Sequence, residues 1–296
     1  MTECKFLKVG VGIATKGRPE ELADIVAALQ RQTVPPELIV VSAVTHADIG
    51  DLEESDTIKI VLGSAGLCHQ RNRALDILLP DCDIVAFFDD DYLPSRFAIE
   101  RMTAVFRDRL NVVGLTGALL ADGINSLGVS REEAEAAIRH YDSAEAAPVV
   151  FDGPLVGLYG CNMVYRASAI AGERFDETLP AYAWQEDIDF AARIGRKGML
   201  CKTNAFAGIH RGVKGARQSG VRFGYSQIAN PVYLIRKGTM PLGFGTRLML
   251  RNALANHAKM LWPESWVDRR GRARGNWVAL RDFLFGRLSP GRINAL

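Results

Sequence analysis

An α/β fold, with a mostly parallel sheet flanked by helices and a helical extension at the C-terminus, is predicted by three observations. Short β-branched runs alternate with helix-length amphipathic segments over residues 6–117. Runs such as "IVAFF" (Ile84–Phe88) are apolar at every position, as strands covered on both faces are. From Arg236 onward the composition changes: twelve Lys and Arg stand against Glu264, Asp268 and Asp282. That tail carries +9 and the rest of the chain −7, inside a net charge of +2.

Each element follows in order. "FLKVGVGIA" supplies a first strand ending at the loop "TKGRP". Pro19 opens a helix whose Leu22, Ile25, Val26 and Leu29 fall at three- and four-residue spacing. After the Pro35–Pro36 turn come strands at "ELIVVSA" and "IKIVL", a helix at "GLCHQRNRALDILL" and a fourth strand at "DIVAFF". A helix at "PSRFAIERMTAVF" and a strand at "NVVGLTG" close the regular part. Residues 120–158 read as irregular, apart from an Ala/Glu-rich helix at "SREEAEAAIRHYD". A strand in "GLYGCNMVYRASAI", a helix with an acidic first turn at "WQEDIDFAARIGRKG", a basic Gly-rich loop at "HRGVKGARQSGVRFG" and a helix near "YSQIANPVYLIRK" follow. In the tail, Leu250, Leu254 and Leu261 line one face of a helix and Arg247, Arg251 and Lys259 another. A second helix from Asn276 carries Trp277, Leu280 and Leu284, with Pro263 and an "RRGRARG" turn between the two.

At 296 residues and 48% hydrophobic, the chain can bury a sizeable core, as one large domain or a domain with an appendage. Its five cysteines form no CxxC pair, which speaks against a zinc site or disulfide framework and for reduced thiols in the cytosol. The N-terminus has no basic-then-apolar export pattern, and no window approaches the roughly 20 apolar residues that span a bilayer. "GVGIAT" lacks the third glycine and the downstream acid of a dinucleotide site, and no GxxxxGK[ST] is present.

The chemistry concentrates in a few places. Asp89, Asp90 and Asp91 crowd the end of a buried strand, where like charges repel and each needs a partner. A hard divalent cation, Mn²⁺ or Mg²⁺, resolves that conflict and also binds phosphate oxygens. The alternative is a set of acids favoured by the dipole of the following helix. Ligands of such sheets lie beyond the carboxyl ends of the strands, so Thr15, Ser42 and the three aspartates are expected around one crevice. Glu186, Asp187 and Asp189 offer a carboxylate base beside Trp184, although acids in a first helical turn also serve capping alone. His210, ahead of Arg211, Lys214, Arg217 and Arg222, is a candidate metal ligand with a basic loop over phosphates; Arg71 is a candidate anion contact.

With these pieces in order, the chain resembles a family 2 glycosyltransferase of bacterial polysaccharide type. "VGIATKGRPEELADIVAALQRQTVPPELIVV", "GLCHQRNRAL", "FFDDDYLP", "GCNMVYRASAI", "RFDETLP" and "WQEDIDFAARIGRKG" match the family's successive blocks over about 230 residues. The resemblance implies a GT-A (Rossmann-like) catalytic domain over 1–235 and a basic amphipathic tail over 236–296. It implies Asp89, Asp91 and His210 at the metal, and Thr15, Arg18, Arg71, Asp89 and Asp91 at the nucleotide-sugar; Ser42 and Asp90, at the same strand ends, are expected beside them. Asp187 would be the base, with Trp184 and Glu186 at the acceptor. Direct displacement would invert the anomeric centre. Ser42 stands where many members carry an acid that contacts the base, which leaves UDP favoured and GDP and dTDP open.

The tail, with Trp262, Trp266 and Trp277, reads as a surface anchor at the inner face of the cytoplasmic membrane, or as ordinary helices packed on the body. The former suits a polyprenyl-diphosphate-linked saccharide acceptor; no feature points to nucleic acid. Two other readings compete: a nucleotidyltransferase, weakened by the "ED" block, and a non-catalytic scaffold, weakened by intact Asp89, Asp91 and Asp187.

Overall fold

Strand β1 (Val9–Ala14) is the pivot of the sheet. Together with β2 (Leu38–Ala43), β3 (Ile58–Leu62) and β4 (Ile84–Asp89) it forms a parallel half in the order β3-β2-β1-β4. The structure, a computed structural model, describes residues 7–145, 147–214 and 219–296. Helix α1 (Pro19–Gln30) packs Leu22, Ile25 and Leu29 against Val9, Val11 and Ile13 on one face. Helix α2 (Leu67–Leu78) packs Leu75 and Leu78 against Val85 and Phe87 on the other. Cover on both sides is why these strands are apolar throughout.

The second half supplies β5 (Tyr92–Pro94), α3 (Ala98–Asp108), β6 (Val112–Asp122), α4 (Arg131–Ser143) and β7 (Phe151–Asp152). It continues through β8 (Asn162–Arg166), α5 (Ala167–Ile170), α6 (Glu186–Ile194) and β9 (Met199–His210). The sheet runs on as β4-β8-β6-β9-β5, with β7 also on β9. Strand β8 is antiparallel to β4 and β6, and β5 and β7 are antiparallel to β9. Six of the nine strands therefore point one way, the mostly parallel sheet expected from the sequence.

Three differences matter. Strand β9 has no counterpart in the sequence reading, because Lys202, Thr203 and Asn204 interrupt its apolar run. Those polar groups are satisfied laterally: the Asn204 side chain accepts from Val150 N–H (2.7 Å) and donates to the Pro148 carbonyl (2.9 Å). The helix read from Pro94 begins only at Ala98, since the chain reverses after Asp91 to pair β5 with β9. The 120–158 stretch is more regular than expected, with β6 reaching Asp122 and the predicted α4 held by a Ser130–Glu133 capping box.

The tail consists of α8 (Leu242–Ala258) and α9 (Arg269–Leu284), both packed on α7 (Gly220–Lys237). The 235/236 division thus falls within the last turn of α7. "RRGRARG" is not a turn but the opening of α9, whose first residues are capped by Asp268 accepting from Gly271 N–H (2.8 Å). Glycine serves there as a contact surface. A Cβ on Gly275 would lie 2.1 Å from the Val221 carbonyl oxygen, and one on Gly224 2.1 Å from that of Arg272. Backbone-to-backbone packing of α7 on α9 overrides the weak helix propensity of those glycines.

Candidate active site

The site lies beyond the carboxyl ends of β1 and β4, where the direction of strand progression reverses. Parallel register sets Ala14 beside both Ser42 and Asp89. The Gln70 amide of α2 clasps the two loops, donating to the carbonyls of Thr15 and Ser42 (2.8 Å each). Ser42 itself is fully buried and its hydroxyl has no partner, so its side chain stands behind the crevice wall.

The three adjacent aspartates divide between two directions. Asp90 turns inward, accepting from the Thr15 hydroxyl (2.9 Å) and from Arg18 (2.8 Å). Burial pushes its carboxyl up to about 7, against the pull of Arg18. Arg18 also reaches Asp91 at 3.4 Å and donates to the Val213 carbonyl (2.9 Å), tying the β1–α1 loop to the segment after β9. Thr15, Arg18 and Asp90 are therefore joined in one buried network. Asp89 and Asp91 face another way, toward His210.

His210 arrives through sheet register. It ends β9, where it pairs with Tyr92 of β5 and Asp122 of β6, one residue from Asp91 in the first case. Ligand atoms of Asp89, Asp91 and His210 lie within 4.8 Å of one another. His210 Nε2 is 3.5 Å from Asp91 Oδ1, a buried carboxylate oxygen without a hydrogen-bond partner. Two carboxylates and an imidazole converging beside an orphaned oxygen match the donor set of a Mn²⁺ or Mg²⁺ site. Burial opposes charge on His210, but Asp122 and Asp91 outweigh it and raise the imidazole to about 10.

A second carboxylate group closes the crevice from α6. Arg71 is buried and contacts Glu186 directly, while its Nη2 donates to Asp89 (3.1 Å) and to the Gly160 carbonyl (3.0 Å). Burial raises Glu186 to about 8; Asp187 and Asp89 add to that and Arg71 opposes it. Asp187 accepts from Gly160 N–H (3.1 Å) and Ile188 N–H (2.8 Å), and burial raises its carboxyl despite both. Asp189 points away into the protein, to Thr239 (2.7 Å), Lys237 and Arg193, and so anchors α6. Capping does not account for all of these acids: Asp189 bonds Thr239 and Lys237, and Asp187 takes Gly160 N–H as well as Ile188 N–H.

The segment leading into α6 holds Ala181, Ala183 and Gln185 at positive φ (58°, 50° and 76°), strain of a kind found at functional loops. It presents Tyr182 and Trp184 beside Phe223 of α7, with ring centroids 6.3 and 5.9 Å away. Tyr182, about half exposed, stands near Asp89, Glu186 and Asp187. The sequence reading missed Tyr182, Tyr159, Asp122 and Phe223; proximity to the "ED" block was the available signal for Tyr182 alone.

Among the basic candidates, Arg211 engages Asp24 and the Val129 carbonyl, Lys214 the carbonyls of Gly123 and Ile124, and Arg222 that of Leu296. Arg217 lies outside the described residues, as does Cys4. A large open hollow of about 1160 Å³ elsewhere gathers Arg101, Arg109, Tyr141 and Phe151 and none of the site residues above.

No family model and no curated protein matches the sequence. Solved structures do. S. aureus TarS 1–349 in complex with UDP-GlcNAc is 17% identical, with a TM-score of 0.58 over 98% of this chain and 84% of that one. The mannosyltransferase PcManGT from Pyrobaculum calidifontis, in complex with GDP-Man and Mn²⁺, is 14% identical, with a TM-score of 0.53 over 99% and 86%. The chain has the GT-A fold of these glycosyltransferases.

Proposed function

We propose that this protein is an inverting, divalent-metal-dependent glycosyltransferase that moves a sugar from a nucleotide-sugar to a saccharide hydroxyl. The observation that carries it is a crowding of acids, with burial raising Asp89, Asp90, Glu186 and Asp187 against the pull of Arg18 and Arg71. Asp89, Asp90, Asp91, Asp122, Glu186 and Asp187 converge on one crevice against Arg18, Arg71 and His210. Such a site is completed by a cation, and Asp89, Asp91 and His210 are placed to hold one. When bound, that ion would neutralise the departing nucleoside diphosphate.

The remaining work falls to the protein. Asp187 would deprotonate the acceptor hydroxyl, its raised carboxyl suiting a general base. Gly160 N–H fixes the carboxylate that does so. Trp184 and Tyr182 would orient the acceptor ring by stacking. Arg71 holds Glu186 and Asp89 in place, and Thr15, Arg18 and Asp90 brace the nucleotide-side loop. UDP is the favoured nucleotide. It is bound by one structural neighbour, while another binds a GDP-sugar.

We place the acceptor, a polyprenyl-diphosphate-linked saccharide of bacterial surface polysaccharide synthesis, at the inner face of the cytoplasmic membrane. No helix among the described residues is long and apolar enough to cross a bilayer. The +9 tail nevertheless exposes Leu254, Leu261, Trp262, Trp277 and Leu284, with Trp262 82% exposed. Basic charge beside exposed tryptophan and leucine complements an anionic lipid surface.

Calorimetric titration of UDP, GDP and dTDP, with Mn²⁺ and then with EDTA, tests the central claim. Metal-dependent binding of one nucleotide, lost in Asp91→Ala, is the expected result. Failure of all three nucleotides in folded protein would favour a non-catalytic scaffold.

A further inference from the structure

We infer that Asp122, itself held by Tyr159, is a positioning residue that aims His210 at the metal. The inference rests on the metal reading above and extends it to two residues outside the acidic motif. His210 Nδ1 lies 2.8 Å from Asp122 Oδ1, which leaves Nε2 as the nitrogen facing Asp91. The second oxygen of Asp122 accepts from the Tyr159 hydroxyl at 2.8 Å, and Oδ1 also accepts from Ile124 N–H at 3.1 Å. The Tyr159 ring stands edge-on to the imidazole, centroids 6.1 Å apart at 87°. Rotation of the His210 ring would break the Asp122 contact. A carboxylate on the far nitrogen of a liganding histidine fixes its tautomer and raises its basicity as a ligand.

The architecture explains why Asp122 is available. Strand β6 runs past its β8 partner and stays paired with β9 to the end, and a register shift between Leu119 and Ala121 sets Asp122 opposite His210. The next residue, Gly123, packs against the Arg211 backbone so closely that a Cβ would sit 1.9 Å from its carbonyl oxygen. The two strand ends are thereby locked at fixed separation. Tyr159 also precedes Gly160, whose carbonyl takes Arg71 and whose N–H holds Asp187. One dipeptide thus braces the histidine end of the site and the base.

The test is Mn²⁺ affinity alone, measured on the full chain by loss of the free-ion electron paramagnetic resonance signal. His210→Ala is the benchmark and should weaken binding. Asp122→Ala should weaken it about 10- to 100-fold. Asp122→Asn, whose amide oxygen can still accept from Nδ1, should lose less, and Tyr159→Phe less again. In a His210→Ala background, Asp122→Ala should add no further loss, which a general structural defect would not reproduce. Circular dichroism and thermal unfolding verify folding; if Asp122→Ala does not fold, Asp122→Asn and Tyr159→Phe carry the comparison. The inference is overturned if the Asp122 and Tyr159 variants bind Mn²⁺ like wild type while His210→Ala does not. An equal Asp122→Ala loss in both backgrounds also overturns it. If wild-type protein binds no Mn²⁺, it is the metal reading itself that fails.

Discussion

Replacing Arg71 with Met keeps most of the buried stem and removes the guanidinium that Asp89, Glu186 and the Gly160 carbonyl share. Three carboxylates are then left together without their cation, because Asp187 adjoins the same group. Breaking a buried ion pair from one side costs about 3–5 kcal/mol. At about 2.1 cal/mol/K of unfolding entropy per residue, a chain of this length has roughly 0.6 kcal/mol/K. The melting temperature should therefore fall by roughly 5–8 °C at pH 8 in EDTA. The sign of the pH dependence follows from the raised carboxyls. An acid with a raised folded pKa binds its proton in the native state first, so its charge penalises folding above that value and the penalty lifts below it. Arg71 holds down the raised carboxyls of Asp89 and Asp187 as well as that of Glu186, so without it these acids take up protons at higher pH than in wild type. The deficit should thus shrink between pH 8 and pH 5. Scanning calorimetry of both proteins across that range is the assay. A melting temperature within about 2 °C of wild type at pH 8 would refute this account, as would a deficit that does not change with pH. Loss of UDP affinity at unchanged stability would instead make Arg71 a direct nucleotide contact.

Further outcomes are expected. Asp187→Asn should slow transfer about 10²- to 10⁴-fold while leaving calorimetric nucleotide affinity intact. If the wild-type protein transfers sugar as proposed, kcat/KM should fall with acidification through the raised Asp187 value, giving an acid limb above the ordinary carboxylate range. Gly275→Ala drives a methyl into the Val221 carbonyl and should destabilise the α7–α9 pair by about 1–3 kcal/mol in urea unfolding. Joint Trp262→Ala and Trp277→Ala substitution should reduce co-sedimentation with phosphatidylserine vesicles and leave the melting temperature nearly unchanged, because both rings are exposed. Binding unaffected by that pair would remove the tail's assigned role.

Much of the fold was legible because the first half is locally consistent. Pro19, the spacing of Leu22, Ile25 and Leu29, and the all-apolar "IVAFF" each state their own structure. The acidic motif was equally legible, since three charges after a buried strand demand an explanation wherever the strand goes. What escaped was structure made by long-range pairing. Strand β9 has a polar centre, and Asn204 is satisfied by Pro148 and Val150, more than fifty positions away. The "RRGRARG" stretch reads as a turn until α7 supplies a backbone for its glycines to pack on.

By itself, then, the sequence determined the alternating core, the place of the crevice at the strand ends, and the residue types Asp89, Asp91, Asp187 and His210 that lie around it. Periodicity and charge density along the chain are local properties and survive without a structure. Only the tertiary structure decided which acid does what. It turned Asp90 inward to Thr15 and Arg18, gave Arg71 to Glu186, covered Ser42, and brought Asp122 to the far side of His210. The physical reason is that a carboxylate's role depends on which cation, donor or void faces it. Strand register and helix docking set those neighbours across separations that no local pattern records.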